Sequence, residues 1–229
     1  MERKIKLKEG EFYHIYNRGV DKRTIFQDDR DYERFLALLY IANSEETIHL
    51  SNDFPKKTPL DEIFKKDRGG QIVAIGAYCL MPNHFHLLLT PLVTDGISKF
   101  MQKLQTGYSM YFNKKNERNG SLFQGVFKSE HINNDRYFKY IYSYIHLNPS
   151  KLKNSKWKEQ QKTFLNQLKK FISEYKYSSL QEYISSEFKI LDPKFFPLDL
   201  KQVIDYKTMV DDFSAPLQKP SRTHLDGFL

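Results

Sequence analysis

The spacing of apolar residues predicts an alternation of strands and helices over the first two thirds of the chain. Patterns typical of strands cover residues 12–18, 71–80, 84–90 and 122–132. Apolar residues recur at helical spacing from Asp31, from Ile97 and from the Asn-Asn-Asp run that ends at Asp135. The predicted order of elements is therefore β-α-β-β-α-β-α.

This order predicts an α+β fold. Its first six elements match the ferredoxin-like arrangement, in which helices pack on one face of an antiparallel sheet. The third helix follows the sheet and is ended by Pro149. We expect one domain over residues 1–149, with an irregular insertion at 45–70. We expect residues 150–229 to form a Lys-rich, mainly helical C-terminal extension.

Two histidines lie at the start of the third predicted strand, where residues 81–89 read MPNHFHLLL. Strand side chains alternate between faces, so His84 and His86 share one face while Phe85 points to the other. This geometry suits two metal ligands, but two half-exposed strand positions would show the same pattern.

The helix before Pro149 carries a phenol and an amide at matching positions. Tyr144 and Asn148 are four residues apart and so lie on one helical face. Two imidazoles and the Asn148 amide would leave coordination positions of Mg²⁺ or Mn²⁺ open for water and phosphate oxygens. The Tyr144 oxygen could then attack a phosphodiester and conserve its bond energy in a phosphotyrosine. The alternative for Tyr144 is a packed aromatic in an aromatic-rich helix.

The overall charge favours a polyanionic partner. The formal net charge is +8 and aromatic residues make up 15% of the chain, a composition that suits single-stranded nucleic acid. Residues 150–176 contribute a net +6, either as a phosphate-facing arm or as a solvated helix face. Simple solubility is the alternative explanation for the positive charge.

Other compositional features exclude several classes of protein. Cys79 is the single cysteine, so an intrachain disulfide framework and a multi-cysteine metal site are excluded. The N-terminus lacks an apolar signal region, and no apolar run has the length of a membrane span. We expect a soluble, cytoplasmic protein with no membrane partner.

Four motifs resemble those of the REP-associated tyrosine transposases, which belong to the single-tyrosine HUH transposases of single-stranded insertion sequences. The motifs are YHIYNRG at 13–19, MPNHFH at 81–86, LFQGVFKS at 122–129 and YIHLNP at 144–149. The similarity spans roughly residues 10–185, because Trp157 and YSSLQEY at 177–183 resemble the tail of that family.

The resemblance implies a nuclease that acts on single-stranded or hairpin DNA, with palindromic repeats as candidate targets. It implies Mg²⁺ or Mn²⁺ on His84 and His86. It also implies that Tyr144, on a catalytic helix, forms a 5′-phosphotyrosine and releases a 3′-hydroxyl. Asn148 stands where related transposases carry a glutamine ligand, so its side chain is one methylene shorter. The resemblance allows a monomer or a homodimer, with Tyr144 acting on its own or on a partner's site.

Several basic residues are candidates for DNA contacts. Arg18 and Lys128 could hold phosphates near the site, or could be ordinary surface cations. The second predicted helix and its exit carry Lys103, Lys114 and Lys115, either as a DNA track or as a plain polar face.

Two further histidines call for a structural interpretation. His14 in the first strand is expected to be packed or on the surface rather than a ligand. His146 lies about 200° around the helix from Tyr144 and should face away from it.

Two other functions remain open from sequence. A replication initiator or relaxase uses the same metal and tyrosine chemistry, although no P-loop for a fused helicase is present. A non-catalytic nucleic-acid-binding module is the alternative from another class, since ferredoxin-like sheets bind single strands by stacking.

Overall fold

A four-stranded antiparallel sheet forms the centre of the computed structural model, which describes residues 7–46, 58–153, 165–197, 199 and 203–214. The strands are β1 (Phe12–Arg18), β2 (Val73–Met81), β3 (His84–Pro91) and β4 (Lys128–Ile132). Their spatial order is β2-β3-β1-β4, and every neighbouring pair is antiparallel. This order is that of the ferredoxin-like arrangement and confirms the predicted fold class.

Eight α-helices are described around this sheet. In chain order they are α1 (Asp29–Ile41), α2 (Leu60–Ile63), α3 (Gly96–Lys115), α4 (Asp135–Leu147), α5 (Ser150–Lys153), α6 (Leu165–Ser173), α7 (Leu180–Ser185) and α8 (Tyr206–Ser214). Short 3₁₀ turns occur at Val20–Lys22 and Pro193–Phe195. None of these helices has both the length and the apolar character that crossing a membrane requires.

Helices α1 and α3 cover one face of the sheet through an aromatic core. The side chain of Asp28 caps α1 by accepting a hydrogen bond from the backbone N–H of Asp31. The ring of Phe35 on α1 lies 5.1 Å from that of Phe85 on β3 and 5.0 Å from that of Tyr108 on α3. Phe85 points away from its two neighbouring histidines, as predicted, and its contact with Phe35 joins α1 to the sheet.

Helix α4 covers the opposite face and packs against β2 and β3. Its N-terminus is capped by Asn134, whose side-chain oxygen accepts a hydrogen bond of 2.8 Å from the N–H of Tyr137. It ends two residues before Pro149, as predicted. Seven of the buried side chains that it contributes are apolar or aromatic, so burial on the sheet accounts for its position.

The strand predicted over residues 122–132 is shorter in the structure and begins at Lys128. The residues before it run beside the segment that follows β1, where Gln124 donates to the carbonyl of Arg18 at 2.8 Å. Gly125 has a φ of +70°, a conformation that breaks the strand and that side chains with a Cβ rarely adopt. The shortening therefore results from a turn that the alternating pattern concealed.

Hydrogen bonds join the two ends of the predicted insertion at 45–70. The amide oxygen of Asn43 accepts hydrogen bonds from the N–H groups of Ile72 and Val73, at 3.1 and 3.0 Å. The backbone of Glu45 bonds to that of Gly70 at 2.8 Å. The end of α1 is thereby fixed to the start of β2, whatever the length of chain between them.

The C-terminal extension contributes to the same hydrophobic core as the sheet. Leu80 of β2 donates to the carbonyl of Tyr177 at 2.9 Å, and Ser179 donates to the carbonyl of Tyr78 at 3.0 Å, which covers the outer edge of the sheet. Helix α8 packs on α4. The described residues do not include 47–57 of the insertion or 154–164 of the Lys-rich stretch, and the latter range contains Trp157.

Replacing Phe85 by alanine should destabilise the domain by about 3 to 5 kcal/mol, because its ring is fully buried against Phe35 and Phe123. Chemical denaturation measures the change. Met110→Ala is the control, since the Met110 side chain is 69% exposed and its loss should change stability by less than about 0.5 kcal/mol. Equal stability of the two variants would contradict this assignment of the core.

Candidate active site

The two histidines of β3 lie on the sheet face that α4 covers. In the antiparallel register His86 is opposite Tyr16, and His84 is opposite Arg18. Cross-strand partners point to the same face, so the end of β1 presents its side chains to both histidines. His86 is fully buried and His84 is buried. The predicted shared face of the histidine pair is therefore present.

Tyr144 reaches this histidine face from α4. Its ring centroid lies 5.1 Å from that of His86 and 5.9 Å from that of His14, and both contacts are edge-on. On the far side, the rings of Tyr140 and Phe213 stack on Tyr144 at 6.2 and 6.3 Å. The phenol and the histidines of one chain thus share a single buried site.

Asn148 lies one turn after Tyr144 and completes the set predicted from sequence. The Tyr144 hydroxyl and both polar atoms of the Asn148 amide are buried, and none makes a hydrogen bond of normal geometry among the described residues. Buried polar atoms without such hydrogen bonds are uncommon in folded proteins and often mark a catalytic or ligand-binding site. Asn148 still acts on its neighbours, since it raises the pKa of His84 and lowers that of Tyr144.

Burial keeps both histidines neutral. It lowers the pKa of His84 to about 3, an effect that Lys151 increases and Asn148 opposes. Burial also lowers the pKa of His86 well below its ordinary value, with the neighbouring His84 adding to the shift. A neutral imidazole has a lone pair to offer, which is the form that binds metal ions.

The Asn83 side chain determines which nitrogen of His84 carries that lone pair. Its amide oxygen lies 2.6 Å from Nδ1 of His84 and can only accept, so Nδ1 bears the proton and Nε2 is bare. A hydrogen bond of this kind to the non-ligating nitrogen is usual for metal-bound histidines.

This set of two imidazole nitrogens and one amide oxygen could hold a divalent cation only with some ligands from outside the protein. Among the described residues no group of three or more His, Cys, Asp or Glu side chains could hold a metal ion by itself. Two neutral imidazoles and the unpartnered amide oxygen of Asn148 therefore need water or phosphate oxygens to complete a coordination shell.

The Tyr144 phenol is held in its protonated form by its surroundings. Burial raises its pKa far above 10, and the nearby Tyr140 adds to the increase, while Asn148 opposes it. Lys151, just beyond the helix, places its ammonium nitrogen 5.3 Å from the centroid of the Tyr144 ring. The positive charge of Lys151 therefore lies close to the phenol ring.

Arg18 and Lys128 lie beside the histidines, as predicted. Arg18 faces His84 across β1 and β3, and its charge contributes to the low pKa of that histidine after the effects of burial and Lys151. Lys128 is opposite Tyr16 at the start of β4 and is exposed. The two cations therefore border the histidine face on the side where β1 ends and β4 begins.

Lys103, Lys114 and Lys115 do not converge on this face, because α3 lies on the other side of the sheet. Lys103 donates to the carbonyls of Ser44 and Glu46 at 2.7 and 2.9 Å. Lys115 forms ion pairs with Asp28 and Asp31 at 2.9 and 2.7 Å. These contacts tie α3 to α1, so any DNA contact by this helix would be separate from the histidine site.

The sequence did not predict that His14 and Lys151 lie at this site. The alternation of β1 places His14 on the same face as Tyr16, and this signal would have located it once the pairing of β1 with β3 was known. Lys151 follows the helix and carried no motif. His146 faces away from Tyr144, as predicted, and hydrogen-bonds to Ser179 at 2.8 Å.

Comparisons with known proteins identify one family. A family model described as IS200-like transposase matches residues 12–148, which is more than half of the chain and includes all four members of the histidine, tyrosine and asparagine set. No curated protein shows a significant match. A solved structure described as a REP-associated tyrosine transposase bound to a REP hairpin is 15% identical, with a TM-score of 0.49, and the alignment covers 87% of this chain and 93% of that one.

The buried histidines predict that the protein loses stability in mild acid. Burial lowers the pKa of His14, His84 and His146 to about 3 from 6.5. As the pH falls below about 6.5, these histidines therefore become protonated in the unfolded chain but stay neutral in the folded chain. Each histidine should remove up to about 1.4 kcal/mol of stability per pH unit, as measured by urea unfolding between about pH 7.5 and pH 5.

His146→Gln is the control for this prediction, because it removes one titrating group that lies away from the tyrosine. Its stability should fall less steeply with pH than that of the unmodified protein, by about one proton. A stability that stays constant over this pH range would contradict the burial of neutral histidines.

Proposed function

The chain belongs to the IS200-like transposase family, and we propose that it cleaves and rejoins single-stranded or hairpin DNA through a covalent bond to Tyr144. The observation that carries the proposal is the meeting of Tyr144 with His84, His86 and Asn148 in one buried site of one chain. A packed aromatic alone would not explain why its hydroxyl and the neighbouring amide are buried without a hydrogen bond of normal geometry among the described residues.

The proposed reaction is an exchange of phosphodiester bonds. The Tyr144 oxygen attacks the phosphorus and loses its proton, while the bond from phosphorus to the 3′ oxygen breaks and that oxygen takes up a proton. The products are a 5′-phosphotyrosine and a free 3′-hydroxyl. Attack by a 3′-hydroxyl on the phosphotyrosine reverses the exchange without ATP, because the number of ester bonds does not change.

His84, His86 and Asn148 would hold a Mg²⁺ or Mn²⁺ ion. When bound, such an ion polarises the phosphate and favours ionisation of a nearby phenol. The chain itself supplies orientation: the sheet fixes both imidazoles, and α4 fixes the phenol against them. Lys151 adds a positive charge next to the ring of Tyr144, where negative charge develops as the proton leaves.

Arg18 and Lys128 would bind backbone phosphates next to the reacting one, at the border of the histidine face where β1 ends and β4 begins. Both lie on the histidine face, and Arg18 is oriented by a hydrogen bond from its Nε to the side chain of Gln124. Backbone phosphate contacts position a nucleic acid without reading its sequence. Because Tyr144 is only 2% exposed, neighbouring side chains must move before a phosphate reaches its hydroxyl.

Tyr144→Phe should abolish a covalent protein–DNA adduct while leaving the fold intact, since only the hydroxyl is removed. The assay incubates the full chain with labelled single-stranded and hairpin oligonucleotides and Mn²⁺ and resolves the products on a denaturing gel. Tyr140→Phe, on the same helix, is the matched control and should keep forming the adduct. Chelation of the metal should also prevent it.

An adduct that persists in Tyr144→Phe would disprove the assignment of the nucleophile. Binding that survives chelation, without cleavage under any metal and with any of these DNAs, would instead indicate a non-catalytic binding module. A comparison of the two DNA forms shows whether a hairpin is required.

Arg18→Gln should weaken DNA binding by about 1 kcal/mol or more and reduce its salt dependence by about one counterion. Fluorescence anisotropy of a labelled oligonucleotide at several salt concentrations measures both quantities. Arg136→Gln on the exposed start of α4 is the comparison variant. If Arg18→Gln binds with unchanged affinity and salt slope, Arg18 is not a phosphate ligand.

A further inference from the structure

We propose that His14 is a positioning residue that accepts a hydrogen bond from His86 and so holds Nε2 of His86 ready for a metal ion. The proposal rests on the proposed function, because it assigns to His14 the support of one ligand in that site. His14 was expected from its sequence position to be a packed or surface residue, with no part in the chemistry.

The geometry of the two side chains supports a direct interaction. Nε2 of His14 lies 3.0 Å from Nδ1 of His86, and the two rings lie side by side with centroids 5.1 Å apart and planes 25° from parallel. Both side chains are completely buried, so water does not compete for this hydrogen bond. The pairing of β1 with β3 fixes their separation, because His14 and Tyr16 lie on the face that carries His86.

The chemistry of a neutral imidazole determines the direction of the bond when a metal is held. Such a ring has one N–H and one bare nitrogen, and only the bare nitrogen can bind a metal. If Nε2 of His86 is the ligand, Nδ1 must carry the proton and requires an acceptor. Nε2 of His14 is the nitrogen in position to accept it. His84 has the equivalent partner in the Asn83 side chain, at 2.6 Å.

The other contacts of the His14 side chain are with aromatic rings and give its ring nitrogens no hydrogen bond. Tyr16 stacks on it at 4.9 Å, and Tyr144 meets it edge-on at 5.9 Å. Tyr16 is fixed in turn by Glu130, which accepts hydrogen bonds from the hydroxyls of Tyr16 and Tyr137 at 2.9 and 2.8 Å. The His14 ring is thus clamped between aromatic rings with one nitrogen directed at His86.

A comparison with His146 separates this role from ordinary packing. His146 is equally buried, but its two nitrogens bond to the Tyr142 carbonyl and to Ser179, so its contacts are complete. Nδ1 of His14 has no hydrogen-bond partner among the described residues. An apolar side chain would avoid that cost at a site with only a packing role. Among the described residues, the one polar contact of the His14 side chain is thus with a candidate metal ligand.

The test is the affinity of the full chain for Mn²⁺ alone, measured by electron paramagnetic resonance of the free ion. His14→Leu removes the acceptor and should weaken Mn²⁺ binding roughly 10- to 100-fold, the usual cost of losing such a partner. His14→Gln places an amide oxygen near the position of Nε2 and should restore binding to within about threefold of the unmodified chain. Thermal unfolding in metal-free buffer checks that each variant folds.

A second pair of variants keeps the test decisive if His14→Leu does not fold. The shorter side chain of His14→Asn cannot reach His86, so it should bind Mn²⁺ more weakly than His14→Gln. Unchanged Mn²⁺ affinity in folded His14→Leu, or equal affinities of the Asn and Gln variants, would overturn the positioning role.

The control variants distinguish this proposal from the proposed function. His146→Gln should bind Mn²⁺ like the unmodified chain, because its ring faces away from the site. His86→Ala should lose binding. If His86→Ala keeps full Mn²⁺ affinity, the metal site itself is wrong and the positioning role is overturned with it. If only the His14 variants fail to respond, the metal site stands without the support of His14.

Discussion

The antiparallel register between β1 and β3 is the constraint on which the site depends. It sets Tyr16 opposite His86 and Arg18 opposite His84, and it brings His14 within hydrogen-bonding distance of His86. Because strand side chains alternate, a one-residue slip of either strand would turn its site side chains to the opposite face, which α1 and α3 cover. The core contact of Phe85 with Phe35 opposes such a slip, since the slip would also remove Phe85 from the aromatic core. The same packing that stabilises the sheet therefore fixes the chemistry on its other face.

Burial is the second determinant of the site. It lowers the pKa of the histidines and raises the pKa of the tyrosine. It keeps the imidazoles of His84 and His86 neutral and able to bind a cation, and it keeps the phenol of Tyr144 protonated and unreactive. A bound divalent cation would resolve both effects, because it needs neutral imidazoles and favours an ionised phenol. Reactivity that depends on the arrival of the ion and the phosphate would limit side reactions of the tyrosine in their absence.

The sequence predicted the fold and the closeness of the candidate site residues. Local periodicity indicated which residues share a face, and the resemblance in four motifs singled out Tyr144 among the aromatic residues of its helix. The alternation in β3 placed His84 and His86 on one face, and the four-residue spacing in α4 placed Tyr144 and Asn148 together. What the sequence did not reveal depends on pairing between distant segments. His14 is 72 positions from His86, and only the strand register brings them together. The sequence left open whether Lys103 and Lys115 belong to a DNA track or to a plain polar face, because their partners Ser44 and Asp28 lie far away along the chain, just after and just before α1. The turn at Gly125 shortened β4 because a positive φ leaves no mark on hydrophobic periodicity.

The central claim is that one chain supplies both the histidine ligands and the tyrosine. Anomalous diffraction from a crystal of the full chain grown with Mn²⁺ tests it most directly. The account predicts a manganese peak in contact with Nε2 of His84, Nε2 of His86 and the side chain of Asn148, beside the hydroxyl of Tyr144 from the same chain. A manganese peak on other residues, or one beside the Tyr144 hydroxyl of a second chain, would contradict it.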